Sequence, residues 1–318
     1  MHGALTTILP MKAASGDLPI GDGWTYEVKW DGMRILAHTD GERLVLRSSN
    51  GIDATIRFPE LAGLVAAVGN RPAVLDGEVV AFADGLPSFA ALQNRMHVSN
   101  ETEAARRAAT NPVTFVVFDL LHFDGTDSTS VRYEQRRELL EQLVVPGDHW
   151  RVNDVHDDGE ALLEAVTETG LEGVIAKRLD SNYQPGKRSP SWRKIKVRRH
   201  QELVVGGWGP GKGGRSGRIG GLLVGYYESG ELRYAGRVGS GLNDGEIDRL
   251  MECFEPLVIQ DCPFQELPPT ADAKGAVWLQ PRIVVEVAYG EWSPIGRLRH
   301  PSYLGQRIDA NPSEVTRE

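Results

Sequence analysis

A change in sequence pattern near residue 200 most constrains how this 318-residue chain can fold. Before that point, strand-like runs such as "AVLDGEVVAF" (73–82) and "PVTFVVFDLL" (112–121) alternate with helical stripes. Such a mixture of strands and helices indicates an α+β unit. The predicted boundary between the two parts lies after residue 200, which gives domains of residues 1–200 and 201–318.

The first part also carries local signals for individual elements. Asp40-Gly41 predicts a tight turn between two strands. Gly170 predicts the end of a helix. Three apolar stripes have helical spacing: Leu61, Leu64, Val65 and Val68; Leu139, Leu140, Leu143 and Val144; and Leu162, Leu163 and Val166.

The second part reads as mainly β. Runs such as "GGLLVGYYE" and "ELRYAGRVG" are separated by glycine-rich turns. One helix interrupts them, with Asn243 as its expected N-cap. Its apolar face would contain Ile247, Leu250, Met251 and Phe254. About five short strands with one helix favour a small Greek-key barrel such as an OB-fold.

Composition narrows the class of protein. Apolar residues make up 41% and charged residues 25% of the chain, as in ordinary soluble globular proteins. The apolar runs are too short to span a bilayer, and the N-terminus lacks the basic and apolar regions of a signal peptide. Two cysteines, Cys253 and Cys262, are too few for a disulfide framework or a cysteine metal site. We therefore expect a cytoplasmic protein with no membrane partner.

Basic charge is concentrated although the net charge is −9. The segment "KRSPSWRKIKVRR" (187–199) has seven basic residues among thirteen and no acidic one. A second basic stretch, "GKGGRSGR", follows at 211–218. Local charge density sets phosphate affinity, so a polyanion could bind here, although a solvated surface is the alternative. The candidate contacts are Lys187, Arg188, Arg193, Arg198, Arg199, Lys212 and Arg215.

The glycine-rich segment 206–221 does not support a standard phosphate-binding motif. It matches G-x-x-x-x-G-K, but Gly213 stands where a P-loop needs serine or threonine. It also matches G-x-G-x-x-G, but a strand-like run follows where a helix should begin. We interpret the segment as a mobile basic surface loop.

A lysine on a strand suggests nucleophilic chemistry. In "YEVKWDGMRI" (26–35), Glu27, Lys29 and Asp31 share one strand face, and Arg34 follows Gly32. A lysine attacks only when neutral, and its ordinary pKa of ~10.4 falls near other cations or a metal and on desolvation.

Other residues could build the site around that lysine. Lys194 and Lys196 share one strand face, and with Arg34 and a magnesium ion held near Glu172 they would supply a positive field. The same cations would neutralise the charge that develops when Lys29 attacks a nucleotide α-phosphate. Phe118 offers a ring for a base, and Glu78 a hydroxyl acceptor. Taken singly, each residue has an ordinary structural explanation: a core aromatic, an edge carboxylate or a solvated lysine.

The chain resembles the covalent nucleotidyltransferases, which comprise DNA ligases, RNA ligases and capping guanylyltransferases. "KWDGMR" resembles their K-x-D-G-x-R motif. Further likenesses follow in the same order: "RSSNG", "DGEVV", "FVVFDLLHFDG", "EGVIAKR", "SWRKIK" and "RLRHPSYLGQRIDANPSEV". "NYQPGKRSPSW" and "VVGGWGPGKGGR" resemble in particular the bacterial ATP-dependent DNA ligases of the LigD and LigC type. The resemblance implies an adenylation (nucleotidyltransferase) domain with antiparallel sheets and flanking helices, followed by an OB-fold domain.

The resemblance also implies roles for single residues. Lys29 would carry AMP, while Lys194 and Lys196 would hold the α-phosphate. Glu27 would contact the adenine amine, Phe118 would stack on adenine, and Glu78 would bind the ribose. Arg34 would contact the ribose or the DNA phosphate. Glu172, with Glu78, would assist the metal, and Lys177 would lie near the nucleotide.

The implied cofactors are ATP and Mg²⁺ or Mn²⁺, and the implied substrate is nicked or broken duplex DNA. A monomer that works in DNA repair, beside a Ku-like end-binding protein or a repair polymerase, is the implied setting.

Two positions depart from the family pattern. Ser49 stands where the S-R-x-G motif has arginine, and Arg47, two residues earlier on the same strand face, is the expected substitute at the 5′-phosphate. The last motif usually ends R-x-D-K, whereas this chain has Arg307, Asp309 and then Ala310. We expect Arg307 to act on the triphosphate.

Two alternatives remain open at this point. An RNA ligase or a GTP-dependent capping enzyme would share the same motifs. A nucleic-acid-binding protein with a dead nucleotidyltransferase site would explain Ser49 and Ala310 as early decay.

Overall fold

The computed structural model of the chain describes residues 8–197, 199–211 and 213–318. Internal contacts divide it into two compact units, Met1–Arg198 and Arg199–Glu318. The domain boundary after residue 200 stays a prediction. The predicted DNA contacts Arg198 and Lys212 lie outside the described residues.

The first unit mixes strands and short helices, as the sequence predicts. Its strands are β1 Lys12–Ser15, β2 Trp24–Lys29, β3 Met33–Asp40, β4 Leu44–Ser48, β5 Pro72–Ala83, β6 Leu86–Pro87, β7 Val113–Phe123, β8 Thr126–Asp127, β9 Trp150–Val152, β10 Gly173–Arg178 and β11 Arg188–Lys196. Its helices are α1 Leu64–Ala67, α2 Phe89–Met96, α3 Glu101–Thr110, α4 Tyr133–Leu143 and α5 Gly159–Thr169.

These strands form two sheets that are mostly antiparallel. One has the order β1-β11-β10-β2, and the other has β4-β3-β5-β7-β8, with β6 paired to β5 and β9 to β7. Among the strand pairs that the described residues of this unit form, β1 with β11 and β7 with β9 run parallel and the others run antiparallel. Lys177 of β10 donates from Nζ to the carbonyl of Phe118 in β7 at 3.2 Å, which links the two sheets. Apolar residues from both sheets and from adjoining segments pack in one cluster: Met11, Leu36, Val74, Phe118, Leu121, Tyr183 and Trp192.

Local sequence signals explain several element ends. Asp40 accepts from the backbone N–H groups of Glu42 and Arg43 at 2.9 and 2.8 Å, which fixes the turn between β3 and β4. Gly170 ends α5 with φ of 67°, a left-handed conformation that favours glycine.

Two predicted helical faces differ from the structure. The stripe from Leu61 begins in a 3-10 turn, Pro59–Gly63, before the single α turn of α1. Leu139 is 38% exposed, whereas Leu140 and Val144 of the same predicted stripe are buried. The buried side of α4 also contains Arg136 and Arg137, which are turned inward because they bind Asp119 and the carbonyl of Asn153.

The second unit is mainly β, also as predicted. Its strands are β12 His200–Pro210, β13 Ile219–Glu228, β14 Glu231–Val238, β15 Val258–Ile259, β16 Val277–Ala288, β17 Glu291–Trp292, β18 Leu298–Arg299 and β19 Ser302–Gln306. The antiparallel sheet has the order β14-β13-β12-β16-β15, and β19 also pairs with β16. Its helices are α6 Asp244–Phe254 and α7 Thr270–Ala273.

The predicted cap and apolar face of α6 are both present. The Asn243 side chain accepts from the N–H of Glu246 at 2.9 Å, and Ile247, Leu250 and Phe254 are buried. The sequence predicted about five strands for this unit. The additional strands are mainly β15, β17 and β18, which have two residues each.

Cys253 and Cys262 are free thiols. Over the described ranges, no helix is long and apolar enough to cross a bilayer.

Buried His38 makes the stability of the fold depend on pH. Burial, followed by the positive charge of Arg47, lowers the pKa of His38 to about 4. A histidine in an unfolded chain titrates near ~6.5, so the unfolded state binds more protons between these two values. The unfolding free energy therefore falls as the pH drops from about 6.5 to about 4, by at most about 3 kcal/mol.

We expect His38→Gln to flatten this pH dependence. Urea unfolding at pH 7 and pH 4.5 should show a smaller loss of unfolding free energy in the variant than in the wild type. Equal losses in the two proteins would contradict the assignment.

Candidate active site

Lysines from two strands meet on one face of the four-stranded sheet. Lys29 of β2 and Lys196 of β11 both lie opposite Gly173 of the intervening β10. Residues directly opposite one another in antiparallel strands project to the same side. The next row places Glu27 and Lys194 on that same face. Gly173 contributes no side chain between the two lysines of the first row.

Glu172 holds the candidate nucleophile. It directly precedes β10, and its backbone carbonyl accepts from the N–H of Val197 at 2.9 Å. Lys29 Nζ donates to Glu172 Oε1. The Glu172 side chain is 4% exposed and that of Lys29 is 21% exposed. A buried carboxylate thus fixes the amine, which keeps partial access to solvent.

Glu27 is the centre of a buried polar cluster. Its Oε2 accepts from Asn153 Nδ2 at 2.8 Å, and its Oε1 accepts from the hydroxyl of Tyr133. Lys177 Nζ lies 2.7 Å from Oε1. Burial and the Glu27 carboxylate raise the pKa of Tyr133, so the phenol stays a neutral donor. The sequence prediction missed Tyr133 and Asn153.

Lys177 is enclosed by aromatic rings. Its Nζ lies 4.4 Å from the ring centroid of Trp192, 4.6 Å from that of Phe118 and 4.8 Å from that of Tyr133. Burial lowers the pKa of Lys177, against the opposing effect of Glu27. The lysine therefore joins Glu27, on its own sheet, to Phe118, on the other.

A closed ring of hydrogen bonds fixes Arg34 on the seven-stranded sheet. Arg34 donates from Nε and Nη2 to Asp76 at 2.5 and 2.6 Å, and from Nη2 to the carbonyl of Met11 at 3.3 Å. Tyr183 donates to Asp76 at 2.6 Å and accepts from the N–H of Met11 at 2.8 Å. Burial would lower the pKa of Arg34, but Asp76 outweighs it and raises the pKa, so the guanidinium stays charged. The guanidinium also lies 4.5 Å from the ring centroid of Phe118.

Tyr183→Phe should weaken this ring. The change removes a donor from buried Asp76 and an acceptor from Met11, so we expect unfolding free energy to drop by about 1–3 kcal/mol. Urea unfolding measures it. Tyr227→Phe is the matched control, because Tyr227 makes no side-chain hydrogen bond to the described part of the chain. Equal effects of the two substitutions would contradict the role of the ring.

Glu78 and Arg47 share the sheet face of Arg34. Glu78 is directly opposite Arg34, and Arg47 is opposite Leu36, two residues along the same strand. Arg47 donates to the carbonyl of Gly51 at 3.3 Å and is 42% exposed. Arg47, the expected substitute for the arginine that the S-R-x-G motif has in place of Ser49, is therefore accessible to solvent.

Glu172 is a candidate Mg²⁺ ligand of the kind that acts together with a substrate. Among the described residues, no group of three or more histidine, cysteine, aspartate or glutamate side chains could enclose an ion. Mg²⁺ commonly binds one or two carboxylates plus substrate phosphates and water. Glu172, next to the lysine face, fits that mode.

The predicted basic strip divides between two sheet faces. Lys194 and Lys196 lie on the face of Lys29, whereas Arg193 projects to the opposite side and its guanidinium lies 5.3 Å from the ring centroid of Trp24. Arg188 is exposed and donates to the carbonyl of Ala13 at 2.8 Å. Lys187 is also exposed. In the second unit, Arg199 donates to the carbonyl of Gly290 at 2.8 Å.

Carboxylates surround Arg307 within the second unit. Arg307 donates to Asp309 at 2.9 and 3.1 Å and to Glu286 at 3.1 Å, and it lies 3.6 Å from Glu202. Burial would lower the pKa of Arg307, but these carboxylates raise it well above its ordinary value. Ala310, where the family motif usually has lysine, packs against the apolar core of this unit.

Comparisons with known proteins agree with this architecture. Models of two families match the chain: "ATP dependent DNA ligase domain" over residues 10–196 and "ATP dependent DNA ligase C terminal region" over residues 215–310. The fold is a nucleotidyltransferase unit followed by an OB-fold unit. The chain belongs to the ATP-dependent DNA ligase family.

Individual relatives refine the likeness. The multifunctional non-homologous end joining DNA repair protein LigD of Mycobacterium tuberculosis is 42% identical over 314 residues, which cover 98% of this chain but 40% of LigD. A solved structure of mycobacterial DNA ligase D with ATP and MES has 39% identity and a TM-score of 0.68, and covers 98% of both chains. The ligase domain of M. tuberculosis LigD has 40% identity and a TM-score of 0.53, with the same coverage. The chain thus spans about two fifths of the curated relative's length.

Proposed function

We propose that this chain seals nicks or breaks in duplex DNA with ATP, through an AMP-lysine at Lys29 and an adenylated DNA end. The main support for this proposal is that Lys29, Lys194 and Lys196 lie on one sheet face and that Lys29 donates a hydrogen bond to Glu172. Family membership supports the reaction class.

The first step is the transfer of AMP to Lys29. The amine attacks the α-phosphorus of ATP; an N–P bond forms and the bond to pyrophosphate breaks. Glu172 accepts a hydrogen bond from Nζ and is placed to accept the proton that the amine must lose. Lys194 and Lys196 neutralise charge on the α-phosphate, an effect whose loss typically costs about 3–4 kcal/mol of barrier.

Adenosine recognition is assigned to the polar cluster and the facing sheet. Glu27 Oε2 accepts from Asn153 Nδ2, and a carboxylate oxygen has two lone pairs, so this oxygen keeps capacity for the adenine amine. Phe118 would offer its ring, Lys177 would lie near the base, and Glu78 would accept from the ribose. Arg34 has Nη1 available, because Asp76 and Met11 engage Nε and Nη2.

A divalent cation fits beside these groups. Glu172, with Glu78 as the second candidate, would hold Mg²⁺ or Mn²⁺ together with phosphate oxygens. When bound, such an ion offsets negative charge on the triphosphate.

The later steps pass AMP to the 5′-phosphate of the DNA and then release it when the 3′-hydroxyl attacks. Arg47 and Arg34 are the proposed contacts to the 5′-phosphate, and Arg307 acts on the triphosphate in the first step. Lys187, Arg188, Arg193, Arg198, Arg199, Lys212 and Arg215 remain the sequence-based candidates for backbone contacts.

The setting of the reaction is also a proposal. Because LigD relatives carry end-joining names, we propose a repair role with a Ku-like end-binding protein or a repair polymerase as partner. The chain would act as a monomer in the cytoplasm of a bacterial cell, at the nucleoid.

A sealing assay tests this function. A nicked DNA duplex with a labelled 5′-phosphate should be joined with ATP and a divalent cation, and GTP should not replace ATP. Joining that required a ribonucleotide duplex would indicate an RNA ligase. A covalent nucleotide formed from GTP alone would indicate a capping enzyme, and DNA binding without either product would indicate an inactive site.

A further inference from the structure

A cleft of about 390 Å³ lies on the second unit beside the loop 293–297. The loop is held by its own hydrogen bonds: Ser293 N–H donates to the carbonyl of Arg297 at 2.7 Å, and Arg297 N–H donates to Ser293 Oγ at 3.0 Å. Three arginines line the cleft, Arg233, Arg297 and Arg317. The sequence prediction assigned no role to any of them.

The three arginines differ in their charge partners. Arg233 lies 3.2 Å from Glu228 and 3.5 Å from Glu266, so its charge is compensated. Arg297 and Arg317 form no ion pair with any carboxylate in the described part of the chain. The cleft therefore offers two uncompensated guanidinium groups.

Aromatic rings orient these two groups. The Arg297 guanidinium lies 4.6 Å from the ring centroid of Tyr234, and that of Arg317 lies 4.6 Å from the ring centroid of Trp292. Tyr234 is itself fixed by donation to Asp272 at 3.0 Å. A guanidinium stacked on a ring keeps its N–H edge available for an anion and loses little freedom on binding one.

The basic loop predicted from sequence has a different electrostatic environment. Arg215 lies 3.3 Å from Asp244 and donates to the carbonyl of Leu242, and Arg218 pairs with Asp248. Their charges are therefore partly compensated within the unit. Arg297 and Arg317 are therefore better suited than Arg215 and Arg218 to offset the charge of a bound phosphate.

We propose that Arg297 and Arg317 bind backbone phosphates of duplex DNA in this cleft. Arginine forks suit phosphate oxygens, and backbone contacts supply most of the sequence-independent affinity for DNA. Ile295, at the loop tip, is 80% exposed. Ile295 lines the same cleft as the two arginines. An apolar side chain beside phosphate-binding groups matches the deoxyribose that flanks each phosphate in a duplex, whereas a free phosphate ion has no such apolar part. The choice of DNA rests on the proposed function.

The test compares two double variants that remove equal charge. Arg297→Gln/Arg317→Gln alters the cleft, whereas Arg106→Gln/Arg299→Gln removes two exposed arginines that pair with Glu103 and Glu291. Binding of a nicked duplex is measured across a salt series, with AMP-lysine formation from ATP and thermal unfolding measured on each protein. Inorganic phosphate is titrated separately.

We expect the cleft variant to bind DNA about tenfold or more weakly and to lose about two units of the slope of log affinity against log salt. The control should keep most of that slope, and AMP-lysine formation should be unchanged in both. Equal slope losses in the two variants, or no loss in the cleft variant, would overturn the proposal while leaving the proposed function intact. Loss of inorganic phosphate binding with unchanged DNA binding would also overturn it. Failure of the wild type to form AMP-lysine would instead contradict the proposed function.

Discussion

Lys29→Arg is expected to reduce ATP-dependent nick sealing by at least about 10⁴-fold, the scale seen when an enzyme loses its nucleophile. Arginine keeps the positive charge and the ability to pair with Glu172, but a guanidinium is not deprotonated in proteins and cannot form the N–P bond. The loss should therefore appear in the chemical step rather than in folding. Single-turnover sealing of a labelled nick measures it.

A DNA substrate that already carries AMP on its 5′-phosphate separates the steps. Joining of this substrate does not need a nucleophilic lysine, so Lys29→Arg should seal it at a rate within about tenfold of wild type. This change is far smaller than the loss of rate expected for the ordinary nick. Lys274→Arg, an exposed lysine on the second unit, is the control and should behave as wild type on both substrates. Efficient sealing of the ordinary nick by Lys29→Arg would contradict the assigned role.

Arg136→Met should lower the unfolding free energy by about 3–5 kcal/mol, the usual result of removing one partner of a buried ion pair. Arg136 and Asp119 have fully buried side chains and form two hydrogen bonds of 2.7 and 2.8 Å. The substitution leaves the Asp119 carboxylate buried without its cation. Because Asp119 follows Phe118 on β7, this pair also supports the ring proposed to stack on adenine.

Urea unfolding of four variants tests this pair: Arg136→Met, Arg106→Met, Asp119→Asn and Asp119→Asn/Arg136→Met. Arg106→Met, which breaks an exposed pair with Glu103, should change stability by less than about 1 kcal/mol. Asp119→Asn/Arg136→Met should recover part of the loss, because it no longer buries an unpaired charge. If the double variant were as unstable as the sum of the two single variants, the pair would not be coupled.

Residues close in sequence were the ones whose arrangement could be predicted. The spacing of Lys194 and Lys196 places them on one face, and the structure has them so, opposite the row of Lys29. The capping roles of Asn243 and Gly170 also follow from local chemistry. Because side chains alternate between the two faces of a strand, Arg193 and Lys194 project to opposite faces. The prediction of one continuous basic strip over residues 187–199 did not take this alternation into account.

Long-range partners could not be predicted. Tyr133 lies 106 positions from Glu27, and Tyr183 lies 107 positions from Asp76, so no local pattern joins them. The sequence contained a weak signal for a role of Asp76 in the site, because Asp76 stands two residues before Glu78 and therefore on the same strand face. The carboxylates around Arg307 include Glu286 of β16, which the pairing of β16 with β19, the strand that ends directly before Arg307, brings close.

Mass spectrometry of the protein after incubation with ATP and a divalent cation tests the central claim most directly. The account predicts that the intact wild-type protein gains the mass of one AMP, that a peptide containing Lys29 carries it, and that Lys29→Ala gains none. A wild type that remains unmodified, or an AMP group found on Lys177, Lys194 or another residue, would contradict it.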